Sequence, residues 1–156
     1  MARQPHELLH LLTRAERLAA RRVQAVLDAF DCSVDAWRVL DLLSADEGRN
    51  MTSLADDAAL PAPTLTKLMD QLVDQNWVFR RVDPADRRRV LVQLTPRGLA
   101  RRRQLSRAVK AEGVPGLDGG EETQLVSLLG RLSEALADDR AEVTPGAAAR
   151  GVGRPR

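Results

Sequence analysis

The hydrophobic period of the sequence changes twice, and these changes constrain the fold more than any other feature. Apolar residues recur at helical spacing from Pro5 to Val73, alternate between Trp77 and Leu94, and return to helical spacing after Thr95. A period near 3.6 gives a helix one apolar face, and a period of 2 gives a strand one. The expected chain is therefore mainly α-helical with one small β element set into it. Composition agrees: Tyr and Ile are absent and aromatics make up 3% of the chain, which disfavours an all-β fold because strands draw on aromatic and β-branched side chains.

Leu8, Leu11, Leu12, Ala15, Leu18, Ala19, Val23, Val26, Leu27 and Phe30 mark one amphipathic helix from about Pro5 to Phe30. At 1.5 Å per residue it is roughly 35–40 Å long. Such a helix overhangs any core that 156 residues can build, so its apolar stripe implies a second chain and a dimerisation role. Ser33 is placed to cap a second helix, Val34 to Ser44, with Trp37, Leu40 and Leu43 inward. Asp46 to Asn50 reads as a turn, and Thr52 as the cap of a short helix from Ser53 to about Ala58. Pro63 opens a fourth helix that turns Leu65, Leu68, Met69 and Leu72 inward, and Asn76 stops it, because Asn tolerates the left-handed conformation that follows helices.

The alternating runs Trp77–Val82 and Arg89–Leu94 bracket the turn-rich Asp83–Arg88 and predict a two-stranded β-hairpin. Thr95-Pro96 then opens a fifth helix, and Asp118 with Glu121 three residues later forms a capping box for a sixth. The expected organisation is an N-terminal dimerisation helix over 1–32 and a winged helix-turn-helix over 33–96. C-terminal helices over 97–143 complete the dimerisation region, and a disordered basic tail follows over 144–156.

The net charge of +2 conceals strong segregation. Between Arg80 and Lys110 eleven basic residues stand against Asp83 and Asp86, a local +9 that leaves −7 for the remainder. Arg makes planar, bidentate contacts with phosphate and guanine edges. The second helix of a helix-turn-helix fits a major groove about 12 Å wide, while a basic hairpin tip suits the adjacent minor groove. The partner implied is double-stranded DNA, contacted through the hairpin and the helix after it. A winged-helix protein-interaction module is the alternative from a different class. No apolar run approaches the roughly 18 residues of a membrane span, no cofactor or membrane partner is implied, and the single cysteine fits a reducing cytoplasm.

Several stretches resemble the MarR family of bacterial transcriptional regulators: Trp37-Arg38-Val39-Leu40, Pro63-Thr64-Leu65-Thr66-Lys67-Leu68-Met69-Asp70-Gln71-Leu72, Trp77-Val78-Phe79-Arg80-Arg81 and Asp83-Pro84-Ala85-Asp86-Arg87-Arg88. Leu94-Thr95-Pro96-Arg97-Gly98, following that wing, makes the most specific piece. The resemblance covers about residues 5–140 and implies a homodimer that binds a pseudo-palindromic operator, commonly as a repressor. It implies that Pro63, Thr64, Thr66 and Lys67 face bases or phosphates in the major groove. Arg88, beside Arg87 at the wing tip, would enter the minor groove with Asp86 bracing the wing, and Thr52 and Arg80 would be phosphate or scaffold contacts. A small-molecule effector between the dimer helices and the DNA-binding lobe would be the switch, with His10, Arg14 and Trp37 as the candidate pocket. Asn76 stands where the family usually has glycine, and both accept the same backbone angles.

Two motifs point elsewhere. His6-Glu7-Leu8-Leu9-His10 matches H-E-x-x-H, which on a helix presents two imidazoles to zinc with a glutamate as general base. A zinc hydrolase needs a third ligand, and there is no third histidine. The pair reads as ordinary polar residues, with a regulatory metal site completed by a carboxylate or Cys32 as the alternative. Cys32 itself would suit an oxidant-responsive regulator, since some members of the family sense oxidants through a cysteine near the first helix. That use needs a lowered thiol pKa, which the neighbouring Asp31 opposes. No P-loop, dinucleotide glycine fingerprint or Gly-x-Ser-x-Gly elbow occurs, so the sequence gives no support to an enzyme.

Overall fold

A computed structural model describes residues 5–142. The chain divides into two compact units, one up to Gly113 and one from Val114. In the first, helix α1 (Pro5–Leu27) ends in a 3-10 turn at Asp28–Phe30, followed by α2 (Val34–Leu42), β1 (Arg49–Asn50), α3 (Met51–Ala58), α4 (Ala62–Asp74), β2 (Val78–Val82), β3 (Val90–Leu94) and α5 (Pro96–Glu112). The second holds α6 (Gly119–Glu142). No helix among the described residues is long and apolar enough to cross a membrane.

The expected wing gains a strand. The sheet is three-stranded and antiparallel in the order β1-β3-β2, with Val78 opposite Leu94, Val82 opposite Val90, and Arg49 opposite Val92. Arg49 and Asn50, read from the sequence as part of a turn, form the edge strand. This pairing also moves the cap of α3. Asn50 Oδ1 accepts from the Ser53 amide at 2.8 Å, so Asn50 rather than Thr52 caps the helix. Thr52 falls inside the first turn, exposed to solvent.

The other boundaries follow their local chemistry. Ser33 accepts from the Ala36 amide at the start of α2 and Thr95 from the Gly98 amide at the start of α5. Asp31 and Asn76 take left-handed angles, φ 54° and 58°, after the α1 segment and α4. The Gln24 side chain clamps the bend after α1, donating to the Cys32 carbonyl and accepting from the Val34 amide.

Leu27, Val39, Leu40, Leu43, Leu54, Leu65, Met69, Leu72, Val78, Val92 and Leu105 fill the core of this unit. The alternation of β2 and β3 delivers Val78, Val92 and Leu94 to it, as period-2 patterning requires. The N-terminal half of α1 contributes nothing to this core, and Leu8, Leu9, Leu11 and Leu18 remain exposed. In the second unit Asp118 and Glu121 form the expected box: the Asp118 amide donates to Glu121 Oε2 at 3.0 Å, and the Glu121 amide to Asp118 Oδ1 at 2.9 Å. Leu125, Val126, Leu128, Leu129 and Leu136 of α6 are exposed. The tail expected over 144–156 lies outside the described residues.

Candidate nucleic-acid interface

Helix α4 buries Leu65, Leu68, Met69 and Leu72, the i, i+3, i+4, i+7 set of one face. Its remaining sides present Pro63, Thr64, Thr66, Lys67 and Asp70 to solvent. The chain turns from α3 into α4 through Ala59, held at φ 53°. Thr66 Oγ1 donates to the Ala62 carbonyl at 2.9 Å, which leaves its lone pairs outward.

The wing tip is built by two aspartates. The Asp83 amide donates to the Arg89 carbonyl, and the Arg89 amide to the Asp86 carbonyl, both at 2.9 Å. The carboxylates close two tight turns: Asp83 Oδ1 accepts from the Ala85 amide at 2.9 Å and Asp86 Oδ1 from the Arg88 amide at 3.0 Å. Such Asx turns mimic a backbone turn and stiffen it. Asp86 also lies 3.9 Å from Arg88 Nε and 3.5 Å from Arg89 Nε. The Arg88 side chain is nevertheless 96% exposed, carried outward by a firm loop. Arg87 beside it is exposed as well.

One brace was not visible in the sequence. Arg80 Nη2 of β2 lies 2.5 Å from Asp70 Oδ1 of α4, joining the wing to the helix beside it. Arg80 is thus paired within the reading head. The resemblance left it as a phosphate or scaffold contact, and an exposed carboxylate at position 70 gave no sign of its partner.

The basic block from Arg80 to Lys110 does not form one outward surface, because several of its guanidiniums are engaged within the fold. Arg81 donates to Gln93, Arg101 to the Phe30 carbonyl, and Arg102 to the Leu43 carbonyl at 2.6 Å. Arg101 also lies over the Trp77 ring, 4.8 Å from its centroid, within cation–π range. The Arg101 and Arg102 guanidiniums satisfy carbonyls at helix ends, where cations are favoured. Besides Arg80, which is paired with Asp70, the outward cations of the block are Arg87, Arg88 and Arg89 at the tip and Arg97, Arg103, Arg107 and Lys110 along α5.

The candidate effector residues separate. Trp37 lines a cleft with Glu16, Arg38 and Asp41, whereas His10 and Arg14 lie with Thr13, Arg17 and Arg21 on an exposed face of α1. His6 and His10 are both exposed, and among the described residues no group of three or more His, Cys, Asp or Glu is placed to hold a metal ion. Cys32 is 6% exposed. Burial pushes its thiol above the ordinary value, and the opposing pull of Arg101 is the smaller effect. That is the reverse of the activation an oxidant sensor requires.

The MarR family model matches residues 33–90, from the cap of α2 to the start of β3. An uncharacterised HTH-type transcriptional regulator of Bacillus subtilis, YwoH, is 30% identical over 88 residues, 56% of this chain. The chain spans 64% of the length of that curated relative. CouR of Rhodococcus jostii, solved bound to p-coumaroyl-CoA, superimposes with a TM-score of 0.69 at 25% identity, covering 79% of this chain and 89% of CouR. A variant of MarR from E. coli, solved in complex with operator DNA, gives 0.68 at 25% identity over 81% of this chain and 93% of that one.

Proposed function

We propose, from the premise that the chain belongs to the MarR family of transcriptional regulators, that it binds a pseudo-palindromic operator as a homodimer and represses transcription by covering a promoter. The observation that carries this reading is the wing tip: a 96% exposed Arg88 on a loop held by Asp83 and Asp86, in the same reading head as the exposed Lys67 of α4. Pro63, Thr64, Thr66 and Lys67 are assigned to the major groove and Arg87 and Arg88 to the minor groove. Asp86 braces the wing, Arg80 braces it through Asp70, and Thr52 is a phosphate or scaffold contact. The work is done on the chromosome, hence in the bacterial cytoplasm, and requires no reaction to be catalysed.

The dimer is supported by two apolar faces. Leu8, Leu11 and Leu18 of α1 are 44–53% exposed, and α6 leaves Leu125, Val126, Leu128, Leu129 and Leu136 uncovered. Fully burying one leucine is worth about 1.5–3 kcal/mol, so a second copy that covers these faces gains far more than solvent offers. A small effector is supported by CouR, which is solved with a ligand bound.

Selection of binding sites from random DNA tests the function. Recovered sites should carry inverted half-sites spaced by about one helical turn, and the bound species should have the mass of two chains. Failure to enrich any sequence overturns operator reading, and salt-insensitive absence from a DNA column favours a protein-docking role instead.

A further inference from the structure

We propose that Arg101 is a positioning residue for operator reading: by holding the Trp77 indole from α5, it fixes the angle between α4 and the wing at which both engage one DNA duplex. This rests on the operator-reading proposal above. Trp77 stands where the two proposed DNA-contacting elements meet. Helix α4 ends at Asp74, Asn76 turns the chain at φ 58°, and β2 begins at Val78. The Trp77 amide donates to the Leu72 carbonyl of α4, and the Trp77 carbonyl accepts from the Thr95 amide at the start of α5, both at 3.0 Å.

Backbone bonds pin the main chain of this joint, and Arg101 holds its side chain. The guanidinium carbon lies 4.8 Å from the centroid of the Trp77 ring and 5.9 Å from that of Phe30, both within cation–π range. Arg101 Nη2 donates to the carbonyl of Phe30, in the 3-10 turn after α1, and Nη1 donates to Gln104 Oε1 at 3.0 Å. The guanidinium is therefore held from two directions while it covers the indole.

Stability alone does not account for a cation at position 101. Leu and Met have helix propensities close to that of Arg, and a neutral donor would satisfy the Phe30 carbonyl. Burying part of a guanidinium costs desolvation. Arg101 Nε is also shielded from solvent without an acceptor, and such an orphan calls for an explanation in a native structure. Ionic groups kept in such places can serve conformational specificity rather than stability. The conformation specified here is that of the joint between helix and wing.

The need for it is geometric. Operator reading places α4 in the major groove and Arg88 in the minor groove at once, and such a constellation must be held to within roughly 0.5 Å and 10–20° to be productive. Contacts to phosphates alone carry no such demand, since non-specific binding follows charge. Loosening Trp77 should therefore lower the preference for the operator and leave the affinity for random DNA nearly intact.

Fluorescence anisotropy of the full chain tests this, using the tightest duplex from the site selection above and a random duplex of the same length. Arg101→Met, which keeps the length of the side chain but not its charge, should lower the operator preference about tenfold, with random-duplex affinity within about twofold. Arg101→Lys, which retains a cation and a donor for the Phe30 carbonyl, should stay within about threefold of the parent protein. Trp77→Leu should lose as much as Arg101→Met, and the double variant no more than either, because both remove one contact. Urea melts set a temperature at which every variant is folded. Equal weakening on both duplexes is the mark of a merely structural residue and overturns the proposal. So do an unchanged preference in Arg101→Met, a lysine variant no better than the methionine one, and additive losses in the double variant. Should Arg101→Met not fold, Trp77→Phe must keep the preference that Trp77→Leu loses, and equal behaviour of those two overturns the proposal. A parent protein that prefers no sequence overturns the operator reading itself, and this inference with it.

Discussion

Gly98 packs directly on the Trp77 carbonyl: a Cβ at position 98 would lie 1.8 Å from the oxygen and 2.7 Å from the carbonyl carbon. The neighbouring Thr95 closes the same joint. Its amide donates to the Trp77 carbonyl at 3.0 Å, its hydroxyl donates to the Asn76 carbonyl at 2.7 Å, and that oxygen accepts from the Gly98 amide at 2.9 Å. The run Leu94-Thr95-Pro96-Arg97-Gly98 is therefore a staple between the end of α4 and the start of α5, and its threonine and glycine are fixed by contact.

Gly98→Ala should destabilise the protein although it adds a better helix former. At an unconstrained helix position the change would stabilise by about 1 kcal/mol. Here the obstruction is backbone, which cannot rotate away, so overpacking of about 1–3 kcal/mol or more prevails. Thermal denaturation followed by circular dichroism should show Tm lowered by about 2–12 °C. An unchanged or raised Tm would show that the joint yields.

Elements whose causes are local were legible in the sequence. Ser33, Thr95 and Asp118 cap the helices they precede, Asn76 takes the left-handed turn, and the alternation after Trp77 is the wing. Strand β1 was not legible because two residues carry no period, and with it went the cap at Asn50. The arginines of α5 show a different limit. Periodicity places Arg101 and Arg102 on a helix, but only tertiary packing turns them onto the Phe30 and Leu43 carbonyls. Likewise Glu16 and Trp37 meet at one cleft through the packing of α1 on α2, a relationship absent from either local pattern.

The division of the basic block makes opposite variants informative. Lys67→Ala and Arg88→Ala should each weaken operator binding by about 1–3 kcal/mol, and Arg88→Ala should also lower the salt slope by about one. Arg102→Ala should leave that slope unchanged and instead cost about 1.5–3 kcal/mol of stability, because the Leu43 carbonyl loses a charged donor. Anisotropy titrations over a range of salt, paired with urea melts, separate the two behaviours. A full-strength salt slope in Arg88→Ala would remove it from the DNA surface.

Arg80 and Asp70 are suited to a charge exchange. Their side chains are 37% and 59% exposed, so the pair is worth about 0.2–1 kcal/mol. Arg80→Asp should weaken operator binding through lost bracing and repulsion from Asp70, and adding Asp70→Arg should restore it to within about threefold. No restoration would mean that Arg80 meets phosphate itself.

Cys32 sets a dependence on pH with a definite sign. Its thiol is 6% exposed, and burial raises the pKa in the folded state against a smaller lowering by Arg101. The unfolded chain ionises near the ordinary value of about 8.5. Below that value both states hold the proton and the contribution of the thiol to stability is fully present. As pH rises above it, the unfolded state loses its proton first, so the contribution declines until the folded pKa has been passed. Urea melts between pH 7 and 10 should therefore show a decline that is shallower in Cys32→Ala after allowance for the smaller side chain. The same protonated, buried thiol should react with iodoacetamide more slowly than free cysteine at pH 7.5, because the thiolate is the nucleophile. Alkylation of the native protein as fast as free cysteine would contradict the buried thiol and restore Cys32 as a candidate oxidant sensor.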